Sequence, residues 1–207
     1  YILDHFSRIR EYDKAVRNGE WERSPAFCYF PVPTSELAGK TLSIVGYGSI
    51  GRKVAEIGRA FGMDIVISTR TKPADCHYEV TDMMSAAEKA DVLTFHCPLA
   101  DKTAGIINKE LLSHMKPSAM LINTARGGVV NEAELAEALK SGTIAAAYLD
   151  VLEKEPMSPD TPLKGLQNCI ITPHTAWAPL ETRQRLVDIV CDNIRAWQSG
   201  APKNKVN

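Results

Sequence analysis

Apolar residues change their spacing regularly along the chain. Ile2, Leu3, Phe6, Ile9 and Val16 share one helical face with charges between them, which predicts a helix over residues 1–18, stopped by Gly19. Residues 21–33 are rich in aromatics and proline and have no period. They read as an arm whose Trp21, Phe27, Tyr29 and Phe30 need cover from another element or another subunit. From Lys40 onward, short apolar runs alternate with helix-period segments. Strands are predicted over 42–45, 65–67, 92–95, 119–122, 144–149 and 169–172. Helices are predicted over 50–61, 108–115 and 179–197. Capping patterns at Ser85-Ala-Ala-Glu88 and Asn131-Glu-Ala-Glu134 open two more, the second stopping at Gly142. Strands alternating with helices imply an α/β fold, a doubly wound parallel sheet of Rossmann type covered on both faces.

Composition narrows the function classes. The chain has 207 residues, 44% of them hydrophobic, enough for a substantial core. Lys plus Arg number 24 and Asp plus Glu 25, which argues against a basic nucleic-acid face. No uncharged apolar run approaches the roughly 18 residues of a membrane span. No signal-peptide pattern opens the chain. Cys28, Cys76, Cys97, Cys169 and Cys191 are scattered without a CxxC and read as free thiols in a reducing, cytoplasmic compartment. His5, His77 and His114 form no ligand-like spacing, so no metal is expected. The chain opens at Tyr1 without Met and inside a predicted helix, so upstream sequence is expected.

Candidate chemistry begins at Gly46-Tyr-Gly48-Ser49-Ile50-Gly51, which follows a predicted strand and opens a predicted helix. In that context Gly46 makes the tight turn, Gly48 admits a pyrophosphate and Gly51 allows close packing. The helix N-terminus supplies free N–H groups to the phosphates. The next strand ends Ser68-Thr69-Arg70-Thr71-Lys72, with no carboxylate for a ribose 2′-hydroxyl. Arg70 and Lys72 add positive charge, and Ser68 and Thr69 add hydroxyls. The expected cofactor is therefore NADP(H), with NAD(H) as the alternative. Three later strand ends carry Asn123-Thr124-Ala125-Arg126-Gly-Gly, Asp150 to Glu155-Pro156, and Thr172-Pro-His174-Thr-Ala-Trp177. Arg126 suits a carboxylate ligand.

With His96-Cys97-Pro98-Leu99, these motifs in this order resemble the D-isomer-specific 2-hydroxyacid dehydrogenases over nearly the whole chain. The resemblance implies that Arg126 binds substrate, His174 is the acid/base, Glu155 is its partner and Asp150 holds the nicotinamide carboxamide. It also implies cofactor contacts at Ser49, Ile50, Cys97, Pro98, Thr103, Thr124, Ala125 and His174. The physical reading agrees. Reducing a 2-keto acid needs a hydride to carbon and a proton to oxygen, and His174 can supply that proton. Glu155 would favour the charged imidazole.

Residues 24–28 together with Trp177 look like glycerate dehydrogenases, also called hydroxypyruvate reductases. Trp177 would crowd the pocket toward a small 2-keto or 2-hydroxy acid. The resemblance further implies a homodimer embraced by the aromatic arm, and a substrate half-domain upstream that this chain lacks. Residues 1–38 would then be a connecting helix and dimer arm, 39–178 the dinucleotide domain, and 179–207 a returning helix and tail. Two other readings stay open: a dinucleotide-sensing module of corepressor type, and a cofactor domain without activity of its own. No nucleic-acid or membrane partner is expected.

Overall fold

The structure is a computed structural model that describes residues 1–205. The chain opens with α1 (Ile2–Ser7) and α2 (Ile9–Arg17), then crosses the aromatic arm to β1 (Thr41–Val45). α3 (Ser49–Ala60), β2 (Asp64–Ser68), β3 (Glu79–Thr81) and α4 (Met83–Lys89) follow. Next come β4 (Val92–Phe95), α5 (Lys109–His114), β5 (Met120–Asn123) and α6 (Glu132–Ser141). β6 (Ala146–Leu149), β7 (Cys169–Ile171) and α7 (Leu180–Gln198) complete the order.

The strands form one sheet in the order β3-β2-β1-β4-β5-β6-β7, every neighbouring pair parallel. The chain grows toward one edge through β2 and β3. It then returns to the middle and grows toward the other edge from β4. That reversal leaves a crevice at the carboxyl ends of β1 and β4, where open α/β sheets bind ligands. Val45 pairs with both Ser68 and Phe95, Phe95 with Asn123, Asn123 with Leu149, and Leu149 with Ile171. The strands therefore end level, and the loops after each open on one rim.

Alternate strand residues feed two cores. Leu93, Phe95, Leu121, Ala147 and Leu149 pack with Ala87, Leu111 and Leu135 of α4, α5 and α6. Leu42, Ile44, Ile65, Ile67, Met120, Ile122 and Tyr148 pack on the other face with Ala55 of α3, and with Ile2 and Phe6 of α1. Two cores explain why the strands read as unbroken apolar runs. The buried exceptions are paired: the Ser43 hydroxyl donates to the Ala86 carbonyl at 2.7 Å.

Four local expectations need correction. The helix predicted over 1–18 is broken at Arg8, which adopts φ 52 and ψ 31. Ile2 and Phe6 must reach the sheet while α2 buries Ala15 elsewhere, and one straight helix cannot do both. β3 was not expected, because it is three residues long and only half-buried, so it carries no apolar run. α4 begins before Ser85: the Asp82 carboxylate caps it, accepting from the Ser85 amide at 3.0 Å and its hydroxyl at 2.7 Å. At α6, Asn131 caps as expected, but Glu134 does not reach back to it. Its carboxylate accepts from the Lys109 amide and joins α6 to the start of α5.

Candidate active site and dinucleotide cradle

The glycine loop joins β1 to α3, and each glycine has a separate reason to be there. Gly46 has φ +97, and a Cβ there would lie 2.5 Å from the His96 carbonyl. A Cβ on Gly51 would lie 2.1 Å from the Gly46 carbonyl oxygen, so the first turn of α3 seats directly on the loop. Gly58 extends this closeness along the helix, with its Cβ position 2.6 Å from Leu42 Cδ2. Gly48 differs: nothing lies within 4 Å of its Cβ position. Among the described residues no protein group requires a glycine there. Gly48 also caps α3 without a side-chain bond, leaving the helix's first amides for an anion.

Around this cradle, Ser68 ends β2 buried, and its carbonyl accepts from the Gly46 amide at 2.8 Å. Arg70 and Lys72 are exposed beyond it. His96 follows β4, its amide donating to the Val45 carbonyl at 2.7 Å and its Nε2 lying 3.1 Å from Thr94 Oγ1. Burial pushes its pKa down to about 4, so the ring is neutral near pH 7. The Thr103 hydroxyl donates to the Pro98 carbonyl at 2.6 Å and accepts from the Ala100 amide at 2.8 Å. It closes the loop that carries Cys97 and Pro98.

Across the rim, β5 ends in the buried Asn123. Its Oδ1 accepts from the Ala125 amide at 3.0 Å, and its Nδ2 donates to the Arg126 carbonyl at 2.9 Å. This local turn fixes the backbone of Thr124, Ala125 and Arg126. The Arg126 side chain is exposed and donates to the Ala125 carbonyl at 2.7 Å, and it has no ion-pair partner among the described residues. Gly127 holds this loop against the next. A Cβ there would lie 1.8 Å from the Leu152 carbonyl oxygen.

The loop after β6 carries Glu155, and the turn after β7 carries His174. His174 Nδ1 and Glu155 Oε2 are 2.7 Å apart, while Glu155 Oε1 accepts from the Leu152 amide at 3.0 Å. Partial burial opposes ionisation of Glu155, but the bonds from His174 and Leu152 outweigh it and hold its pKa below the usual value. An ionised Glu155 accepts, so Nδ1 carries the hydrogen and Nε2 is the atom left to exchange a proton. The Glu155–Pro156 peptide is cis. His174 has φ 54, a strained conformation for a non-glycine residue.

Asp150 holds that strain. It is 1% exposed, and its carboxylate accepts from the Thr175 amide at 2.9 Å, the Ala176 amide at 2.8 Å and the Thr172 hydroxyl. Burial opposes its ionisation. The Thr172 hydroxyl and the Ala176 and Thr175 amides outweigh burial and lower its pKa. The Tyr1 hydroxyl bonds Thr172 in turn, linking α1 to the histidine turn. Glu132 braces the other side, accepting from the Glu153 amide and the Thr161 hydroxyl, both at 2.8 Å.

A cavity of about 780 Å³ opens beside the dyad, lined by Glu155, His174, Asp150, Met157, Leu163 and Ile171 among others. Trp177 is half-exposed and does not line it. The structure thus brings His174, Glu155 and Asp150 into one hydrogen-bonded unit. It sets Arg126 on the adjoining loop without direct contact to them. Asn123, Thr172 and Thr175 were not singled out from sequence as site residues. An Asn at a strand end before Gly-Gly is a readable turn signal, whereas the two threonines matter only through Asp150, more than 20 residues away.

A doubly wound parallel sheet with an open glycine turn at its switch point is the architecture of a dinucleotide-binding domain. The family model for the D-isomer specific 2-hydroxyacid dehydrogenase NAD binding domain matches residues 1–176, and the chain belongs to that family. Its cofactor-binding part is a nicotinamide dinucleotide domain. The chain is 41% identical over its full length to a hydroxypyruvate reductase of Blautia hydrogenotrophica, covering 65% of that protein. It is 44% identical over 96% of its length to a glycerate dehydrogenase of Methylorubrum extorquens, covering 62% of it. An NADPH-dependent glyoxylate/hydroxypyruvate reductase of Sinorhizobium meliloti, solved with NADP and sulfate, matches at TM-score 0.82 and 28% identity, over 100% of this chain and 65% of that one. The chain thus spans less than two thirds of the length of these relatives.

Proposed function

We propose that this chain is the cofactor-binding and proton-handling part of an NAD(P)-dependent reductase of small 2-keto acids. The substrates are hydroxypyruvate or glyoxylate, reduced to D-glycerate or glycolate. The observation that carries the reading is the Glu155–His174 pair, whose Nε2 is free on the same strand-end rim as the open cradle at Gly48. When bound, a nicotinamide dinucleotide supplies the hydride. The chain's own residues do the rest. The Gly46–Gly51 loop and the amides of Ser49 and Ile50 would hold the pyrophosphate. Arg126 binds the substrate carboxylate and polarises its carbonyl. His174 delivers a proton from Nε2 to the substrate's carbonyl oxygen, which balances the hydride that the bound dinucleotide would supply to the carbon. Glu155 stays ionised, orients the ring and stabilises its protonated form. Asp150 fixes the turn and, on the family resemblance, contacts the nicotinamide carboxamide.

NADP(H) is the favoured cofactor. No carboxylate stands among residues 69–72, directly after β2, to repel a 2′-phosphate, and Arg70 and Lys72 have no ion-pair partner among the described residues. The aromatic arm supports a homodimer. Trp21 Nε1 donates to the Phe27 carbonyl at 3.0 Å, yet Phe27 is 92% and Phe30 75% exposed. Among the described residues no helix is long and apolar enough to cross a membrane. The test is oxidation of NADPH and of NADH with hydroxypyruvate and glyoxylate by the wild-type chain. It is paired with the same assay on the protein extended to the length of its relatives. Turnover favouring NADPH in either form is expected. Cofactor binding without turnover in both would overturn the enzymatic reading.

A further inference from the structure

The loop between β2 and β3 carries the two cations assigned above to the 2′-phosphate. It also carries one acid, Asp75, three residues beyond Lys72. Left free, that carboxylate would compete for Arg70 and Lys72 and repel the phosphate. The structure shows it already taken. Arg52, in the first turns of α3, grips Asp75 with two parallel bonds, Nη1 to Oδ2 at 2.6 Å and Nη2 to Oδ1 at 3.0 Å. The guanidinium lies 4.6 Å from the centre of the Tyr47 ring, and Tyr47 is the residue between Gly46 and Gly48. Tyr47 is itself buried against Cys76 and Tyr78. The loop after β2 is thus stapled to the glycine loop by an ion pair stacked on the glycine loop's own aromatic residue.

We infer that the Arg52–Asp75 pair is a specificity-determining device. By occupying the loop's only acid, it leaves Arg70 and Lys72 unopposed for the phosphorylated ribose of NADP(H). The inference rests on the proposed dinucleotide reading and adds two residues to it. Geometry supports it twice. The two-bond grip suits guanidinium and carboxylate, and a bond from Arg52 lowers the Asp75 pKa, so the acid is ionised and pairing it matters. The ring beneath the guanidinium keeps it close to the cradle.

The experiment titrates 2′,5′-ADP and 5′-AMP, then NADPH and NADH, into the wild-type chain and three variants. Arg52→Gln frees Asp75 and should weaken 2′,5′-ADP by about fivefold, the scale of one exposed charge interaction. It should leave 5′-AMP unchanged. Asp75→Asn removes the acid and should bind 2′,5′-ADP at least as tightly as the wild type. The double variant should recover the affinity that Arg52→Gln loses. Equal weakening of both fragments by Arg52→Gln would make the pair a loop brace only and overturn the inference. An unchanged ratio, or a double variant as weak as Arg52→Gln, would overturn it as well. Should Arg52→Gln fail to fold, Asp75→Asn decides alone, since a loss of 2′,5′-ADP affinity there has the wrong sign. A wild-type chain that binds none of the four ligands would instead remove the dinucleotide reading, and the inference with it.

Discussion

His174 is held by two carboxylates with different jobs. Glu155 touches the ring, whereas Asp150 touches the backbone that follows it. Substitution should separate them. His174→Ala removes the proton donor and should cost turnover about 10²- to 10⁴-fold while NADPH affinity is kept, read by steady-state kinetics and titration. Asp150→Asn removes the charge from an acceptor of two amides and a hydroxyl. It should lower stability by about 2 kcal/mol in denaturant unfolding, because bonds to charged groups are the costly ones to lose. The Asp150 pKa is lowered on folding, so its contribution is complete above the ordinary carboxylate range. That contribution disappears as pH falls through the native value. His96 acts at a higher pH. Its native pKa is about 4 against roughly 6.5 unfolded, so the unfolded chain gains a proton between those values that the native chain refuses. Stability should therefore fall as pH drops from about 6.5 toward 4, and His96→Gln should flatten that slope in unfolding curves. A slope unchanged by His96→Gln would assign it to His5, the other histidine lowered by burial.

At the scale of elements, the glycines explain how loops from distant parts of the chain meet. Gly127 brings the Arg126 loop against Leu152, whose amide bonds Glu155. Gly127→Ala should destabilise the fold by about 3 kcal/mol or more, since backbone rather than a flexible side chain blocks the new methyl. A thermal shift of less than a degree would show that the two loops are not in the contact described. The same scale shows what sequence could and could not reveal. Gly46, Gly48 and Gly51 are close in sequence, and the strand before them and helix after them declare the turn. Arg126, Glu155 and His174 are far apart in sequence; their strand-end loops and the fit of Arg126 to a carboxylate could be read from the residues, whereas the role proposed for each comes from the resemblance to a family. Asn123 could have been read from its local turn. The staple of Arg52 to Asp75 spans 23 residues and depends on how the β2–β3 loop folds back, which no local pattern encodes. The break at Arg8 was hidden because the apolar spacing continues across it. β3 was hidden because an edge strand of three residues buries too little to select apolar side chains.

For the whole molecule, two of the apolar surfaces that lack internal cover among the described residues stand out. One is the arm with Phe27 and Phe30. The other is the face of α7 with Leu186, Val187, Val190, Ile194 and Trp197, along which only Ala196 is buried. The arm fits a two-fold partner, since closed symmetry removes such patches. Phe27→Asp should shift the chain toward monomer in sedimentation with little change in melting temperature, because Phe27 packs on almost nothing in the single chain. An unchanged sedimentation coefficient would place the dimer contact elsewhere or nowhere.

The central claim is that the rim of the sheet holds a nicotinamide dinucleotide at a cradle whose middle glycine is open for the ligand alone. Titration of NADPH into the wild type and into Gly48→Val tests it most directly. The backbone at Gly48 has φ −82 and the space beside it is empty, so the new side chain should cost only the cap preference of α3, on the order of 1 kcal/mol in a melt. The account predicts that the wild type binds and that Gly48→Val, still folded, loses at least about tenfold in affinity, or about 1.4 kcal/mol. A folded Gly48→Val that binds NADPH as well as the wild type would contradict it.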